Sequence, residues 1–192
     1  MLVPILVPSG KTMQVFSGHD SPVHAGEFTP DGKRIITADA TGNLILWNPR
    51  EAAPVWKLTA ADGRFALDGG ITSLAVNPSS TLAVAGGADG GIRIVNLAKG
   101  TVVGALEGHQ EGESIEAIAF VEFGAGTNIG QGPGVVATGG TDGRICIWDL
   151  STMKLRSTFQ HAVCQHQHLL PTHSFTFPFA GRSDHPSHTP AT

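Results

Sequence analysis

Residues Thr138 to Leu150 read TGGTDGRICIWDL, and the same plan appears twice earlier, at Thr37 to Pro49 (TADATGNLILWNP) and at Ala85 to Leu97 (AGGADGGIRIVNL). Each string holds an apolar strand, a tight glycine-containing turn, a second apolar strand and a stop. Repetition of one unit constrains a fold more than any single element does, because units that cannot bury their own faces must stack on their copies. Thr41, Asp89 and Asp142 mark the repeat. Their intervals are somewhat longer than the roughly 40–45 residues of a four-stranded propeller blade. Blades with loop insertions are therefore expected.

The first unit has candidate strands at Val23–Phe28, Arg34–Ala38, Leu44–Trp47 and Val55–Thr59. The second has Ile71–Val76, Leu82–Ala85, Ile92–Val95 and Val102–Leu106, and the third Ile115–Val121, Val135–Thr138, Arg144–Trp148 and Leu155–Phe159. Runs such as LILW and RICIW are apolar on both sides, which suits sheets packed between two neighbouring sheets. No segment keeps a helical period. The expected fold is all-β: a partial β-propeller of three four-stranded antiparallel blades, plus one orphan outer strand at Thr12–Phe16. Rings close with about 4–8 blades. The array therefore reads as part of a ring, and its open faces and edges favour self-association.

Residues 1–11 read as an N-terminal extension, 12–160 as the repeat array and 161–192 as a disordered tail. The tail is rich in proline, has no lysine and holds most of the chain's nine histidines. Its character departs abruptly from that of the array, as a sequence unrelated to it would. Elsewhere the chain is apolar and glycine-rich, with 25 glycines and 15 % charged residues. A net charge of −4 disfavours general nucleic-acid binding. Two cysteines form no disulfide framework and fit a reducing compartment. The apolar start is too short to span a bilayer and lacks a basic leader region, so no membrane segment is expected.

Gly18-His19 and Gly108-His109 precede the two units that end in tryptophan, Trp47 and Trp148. With these motifs in register, the chain resembles the WD40 repeat family over about Thr12 to Gln160. The resemblance implies a side-chain network of His, Ser or Thr, Asp and Trp within a blade. The third unit matches at His109, Thr138, Asp142 and Trp148. The first matches at His19, Thr37 and Trp47, but Thr41 stands where the Asp is expected, with Asp39 a partial substitute. The second keeps only Asp89 and is expected to rely on packing. A hydrolase triad is rejected, because the hydroxyl sits at a repeated structural position and no nucleophile-elbow sequence is present.

Three other motifs are read as bland. Ser9-Gly10-Lys11-Thr12 mimics the end of a phosphate loop, but the first glycine of that motif would fall at Ile5 and no helix pattern follows. The glycine-rich insertion from Gly124 to Gly134 reads as a flexible loop. Cys164, His166 and His168, with His161 and His173 nearby, match no closed zinc spacing. No metal, cofactor or catalytic residue is expected.

The charge distribution carries more. If the loops entering each blade and its central turns share one face, that face holds Asp20, Asp39, Asp62, Asp68, Asp89, Glu111 and Glu113, opposed only by Arg64. Asp31 and Glu51 lie on the other face with Lys33, Arg34, Arg50 and Lys99. A one-sided acidic surface attracts a basic partner. Glu116, at the start of an inner strand, is the most attractive single anchor, with His24 and Thr72 at the matching positions.

The stretches GHDSPVHAGEFTPDGKRIITADATGNLILWNP and AADGRFALDGGITSLAVNP are similar to a narrower branch of the family. Its members are fungal ribosome-assembly WD-repeat chaperones that escort a new large-subunit ribosomal protein, together with their animal relatives. The resemblance implies a cytosolic, non-enzymatic chaperone for a basic protein segment, with the nucleus as a second location. It implies no direct contact with nucleic acid or membrane. The alternatives are a general WD40 scaffold in another complex, and a propeller fragment without activity of its own.

Overall fold

The computed structural model describes residues 5–6, 11–12, 14–59, 61–63, 65, 67–121 and 134–160. All regular structure among them is β. After a two-residue pair, β1 (Ile5–Leu6) with β2 (Lys11–Thr12), come three four-stranded antiparallel sheets. Blade 1 is β3 (Val23–Phe28), β4 (Ile35–Asp39), β5 (Leu44–Asn48) and β6 (Ala53–Leu58). Blade 2 is β7 (Ile71–Val76), β8 (Leu82–Gly87), β9 (Ile92–Asn96) and β10 (Thr101–Leu106). Blade 3 is β11 (Ile115–Val121), β12 (Val135–Gly140), β13 (Arg144–Asp149) and β14 (Lys154–Gln160). Strand order within each sheet follows chain order, so each blade is a meander, as the repeat requires.

Of the orphan strand expected at Thr12–Phe16, Thr12 lies in β2 and Phe16 in an isolated bridge, with no strand at residues 14–15. The tail at 161–192 and the glycine-rich insertion up to residue 133 lie outside the described residues, as do the phosphate-loop mimic's Ser9 and Gly10 and the cysteine and histidines of the tail.

The blades stack through strand faces. The core between blades 1 and 2 includes Ile36, Leu44 and Leu46 from one side and Ile71, Ala85 and Val95 from the other. The core between blades 2 and 3 includes Val84, Ile92, Ile94 and Leu106 against Ile115, Cys146 and Trp148. A third, smaller cluster caps the front of blade 1, where Phe16 packs edge-on to Trp47 at 5.5 Å between ring centroids. In blades 1 and 2 both faces of the middle strands are thus largely buried, which explains their unbroken apolar runs.

Polar bonds pin one blade to the next. The buried Ser73 hydroxyl donates to the Ile115 carbonyl at 2.7 Å, and Thr72 donates to the same oxygen at 2.6 Å. The Val76 amide donates to the Glu27 carboxylate at 2.9 Å. The Trp56 indole donates to the Leu97 carbonyl at 2.8 Å. Gly86 makes the join close, since a Cβ there would come 2.6 Å from an Ile115 methyl.

Candidate functional site

In blade 3, the loop between β10 and β11 carries His109 to the top of the β12–β13 hairpin. Nδ1 of His109 lies 3.0 Å from an Asp142 carboxylate oxygen, and Nε2 lies 2.8 Å from Thr138 Oγ1. The Trp148 indole N–H reaches that same hydroxyl at 2.8 Å. A carboxylate only accepts and an indole only donates. With a neutral imidazole the chain has one reading: Nδ1–H donates to Asp142, the Thr138 hydroxyl donates to Nε2, and Trp148 donates to Thr138. The side chains of His109 and Asp142 are fully buried, and Thr138 and Trp148 are buried too. Thr138 is thus shut away from solvent, with its oxygen engaged by the indole. This trio presents no nucleophile.

Asp142 also accepts backbone amides from Gln110 at 3.0 Å and Arg144 at 2.9 Å. Burial works against its charge. The two amides and His109 outweigh it, and the carboxyl is held below its ordinary range.

Blade 1 has an equivalent network that is complete, which corrects two expectations. Asp39, expected to face a partner, is fully buried and bonds His19 Nδ1 at 2.7 Å. His19 Nε2 lies 2.6 Å from Thr37, which receives the Trp47 indole at 2.7 Å. Thr41, expected to leave the network without its carboxylate, donates its amide and hydroxyl to Asp39 at 3.0 and 2.9 Å. Burial opposes the charge of Asp39. Bonds from the Asn43 side chain and amide, His19 and Thr41 overcome that, holding its carboxyl well below the usual range.

The swap has a steric logic. In blade 3 the carboxylate rises from the turn at Asp142, and Gly140 leaves room for it: a Cβ there would sit 2.9 Å from the His109 ring and 3.0 Å from the carboxylate. In blade 1 the carboxylate springs from the strand end itself, at the position paired with Val23. The turn position then needs only a short polar residue. The signal in the sequence is an exchange of Gly-x-Asp for Asp-x-Thr.

Asp89 in blade 2 is a second correction to the partner-binding set. Its carboxylate accepts the amides of Asp68 and Gly91, both at 2.9 Å. These are the counterparts of the Gln110 and Arg144 bonds in blade 3. No histidine joins them, and the buried Phe65 and Leu67 fill the space beneath the loop. Gly90, at φ 83°, brings the turn against the next loop, where a Cβ would meet the Gln110 carbonyl at 2.6 Å.

The other expected carboxylates do lie on the loop face. Asp20 is 91 % exposed and sits 3.6 Å from Lys57. Asp62 accepts the Thr59 amide and hydroxyl at 2.7 and 3.0 Å, closing its own loop. Glu113 accepts the Thr141 hydroxyl at 2.6 Å, and Glu116 accepts that of Ser114. Asp68 and Glu111 are exposed. Among the described residues their carboxylates have no hydrogen-bond or ion-pair partner.

The turns at Ala40, Ala88 and Thr141 bond back to the loop residues Pro22, Gly70 and Ser114. This ties each entry loop to the central turn of its own blade, and the Gly112 amide, donating to the Asp89 carbonyl at 2.9 Å, links the top of blade 3 to that of blade 2. Two cations missed from the loop composition also reach it. Lys57 donates to the Gly18 carbonyl at 3.3 Å, and Arg144 donates to the Gly108 carbonyl at 3.2 Å. Both stand on strands, so a count confined to loops passed over them. Exposed Glu107 adds a further acid. Arg64 lies outside the described residues. Among the described residues, no group of three or more potential ligands is placed to hold a metal ion.

The comparisons agree with this architecture. The profile of the WD domain, G-beta repeat family matches residues 10–48, 59–96 and 100–149, more than half of the chain. An uncharacterised WD repeat-containing protein of Schizosaccharomyces pombe is 33 % identical over 162 residues, covering 81 % of this chain and 38 % of its own. Angio-associated migratory cell protein of Canis lupus familiaris is 29 % identical over 168 residues, 81 % of this chain and 36 % of its own. Sqt1 of Chaetomium thermophilum, solved bound to the N-terminus of the ribosomal protein L10, superposes with a TM-score of 0.66. It is 29 % identical, over 78 % of this chain and 39 % of that one. The chain spans less than two-fifths of the length of these relatives. It belongs to the WD40 family, as three consecutive blades of a β-propeller.

Proposed function

We propose that this WD40 interaction module is a cytosolic ribosome-assembly chaperone, and that its loop face holds a basic segment of a large-subunit ribosomal protein. The observation that carries this reading is the likeness to Sqt1, seen with the N-terminus of L10 bound. The chemistry of the loop face supports it. Asp68, Glu107 and Glu111 are exposed, and a lysine or arginine meeting several carboxylates is held by charge-assisted hydrogen bonds. Lys57 sits beside Asp20, and it directs a basic partner away from that acid toward Asp68 and Glu111. Binding of this kind needs no catalytic group.

The test is titration of the chain with a peptide of the L10 N-terminal segment, followed by fluorescence anisotropy at two salt concentrations. The reading expects saturable binding that weakens with salt and falls by about tenfold or more when Asp68 and Glu111 are both changed to lysine. Asp31→Lys, on the opposite face, should leave it unchanged. Binding indifferent to salt and to the loop changes would overturn the reading.

A further inference from the structure

The outer rim of each seam is made where the outer strand of one blade meets the turn that leads into the outer strand of the next. The last residue of that turn is left-handed in all three blades: Ala52 at φ 50°, Gly100 at φ 62° and Met153 at φ 55°. Across the seam stands the residue just past the bulge in the preceding blade's outer strand, Trp56 in blade 1 and Gly104 in blade 2. The two seams fill this space in opposite ways. Between blades 1 and 2 the strand supplies the bulk, and a Cβ on Gly100 would come 2.8 Å from the Trp56 ring. Between blades 2 and 3 the turn supplies it, and a Cβ on Gly104 would come 3.2 Å from the Met153 sulfur and 3.3 Å from its methyl.

A glycine enters the left-handed region freely, whereas an L side chain does so at a cost. Met153 bears that cost where blade 2 has a glycine, because Gly104 leaves a gap that a side chain from the turn can reach. A long, unbranched thioether bends into such an irregular gap. Met153 packs there against the core between blades 2 and 3. It is nevertheless only half-buried, so a molecule as small as hydrogen peroxide reaches its sulfur. Cys146 is fully buried and does not compete.

We propose that Met153 is an oxidation site for peroxides, and that taking up one oxygen there loosens the outer seam between blades 2 and 3. In the reaction with hydrogen peroxide a sulfur lone pair forms the new S–O bond and the O–O bond breaks. The proton of the transferred oxygen passes to the departing one, which leaves as water. The sulfur is oxidised to the sulfoxide and the peroxide is reduced. The product is a polar group pressed against the Gly104 backbone and an apolar core, where its burial is unfavourable. The seam between blades 1 and 2, filled by Trp56, has no thioether to oxidise. This proposal does not depend on the chaperone reading, because it uses neither the loop face nor its carboxylates.

The test is to treat the 192-residue chain with hydrogen peroxide, follow oxygen uptake at Met1, Met13 and Met153 by peptide mass spectrometry, and record thermal melts. Uptake at Met153 is expected to lower the melting temperature by about 3 °C or more. Methionine sulfoxide reductases should restore it. Amide exchange should quicken by about tenfold in β10 and β14 and stay unchanged in β6. Met153→Leu fills the same gap without a thioether, and Met153→Gly relieves the left-handed backbone. Each should keep its own starting melting temperature through the treatment. Oxidation of Met1 and Met13 that spares Met153 would overturn the proposal. So would a Met153 sulfoxide with an unchanged melt, or an equal loss in Met153→Leu and Met153→Gly, which would place the damage elsewhere.

Discussion

Blades 2 and 3 bridge the same gap, between the loop entering a blade and its central hairpin, with different chemistry. In each, one carboxylate takes a backbone amide from the loop and another from the turn: Asp89 from Asp68 and Gly91, Asp142 from Gln110 and Arg144. Blade 3 adds His109, Thr138 and Trp148 in a buried polar chain. Blade 2 puts Ala85 and Val95 at the threonine and tryptophan positions and covers them with Phe65 and Leu67. The difference shows that blades 2 and 3 share the two amide bonds, and that the histidine chain is one of two ways to fill the space behind them. A satisfied polar chain and an apolar plug are both stable, but they fail differently when a partner is removed.

The sharpest way to break the comparison is to remove the carboxylate from each blade. Asp142→Ala leaves the buried His109 N–H, and two amides nearer the surface, without their acceptor. The expected loss is about 3 kcal/mol or more, since each orphaned buried donor costs about 1–3 kcal/mol. Asp89→Ala orphans two amides at a half-buried turn and leaves the apolar plug intact, for a loss of about 1–2 kcal/mol. Urea unfolding of the two variants side by side measures the gap. Equal losses would show that His109 adds no dependence on its carboxylate.

Much of this was legible in the sequence, for a physical reason. Middle strands such as β4, β5 and β8 are buried on both faces and write apolar runs, while the outer strands are marked by the repeat and its turns, so all twelve blade strands emerge within a residue or two of where they are expected. The Trp148 network was legible because a motif with fixed spacing carries it. Asp39 was not. Registering the repeats on their turns placed Thr41 opposite Asp142, whereas the fold needs only that a carboxylate reach the same point in space, and a strand-end side chain does so. Asp89 misled for a related reason: an aspartate in a turn reads as surface, and nothing in its own segment reveals that its acceptors point at the Asp68 amide. Lys57 and Arg144 stand on strands, and only the pairing register shows that their ends reach the loop face.

A smaller effect separates the networks by pH. Asp39 and Asp142 are held below their ordinary carboxyl range in the fold. Such groups contribute stability that is fully present above the unfolded value, 3.8, and that is lost as pH falls toward the folded one, because the unfolded chain binds protons first. The urea midpoint should therefore drop steeply below about pH 4. Asp39→Asn and Asp142→Asn should each start lower at neutral pH and lose less across that acid range. An unchanged acid slope in both would remove these residues from the account.

The smallest expected change has the opposite sign and tests the joint between blades rather than the network within one. Glu27 is partly buried between blades 1 and 2, where burial pushes its carboxyl above the ordinary value, against a lowering from the Val76 amide. A raised folded value means that the ionised form is the costly one. Stability is then greater below that value and declines as pH rises through it. Gln at this position keeps a carbonyl oxygen for the Val76 amide and carries no charge into the joint. Glu27→Gln should thus stabilise the chain at neutral pH by roughly 0.5 kcal/mol, a typical size for a partly exposed site. The gain should vanish in acid, where Glu27 is itself protonated. Thermal melts at pH 7 and pH 4 compare the two chains. A loss at pH 7 would mean that the charge of Glu27 strengthens the Val76 bond by more than its burial costs.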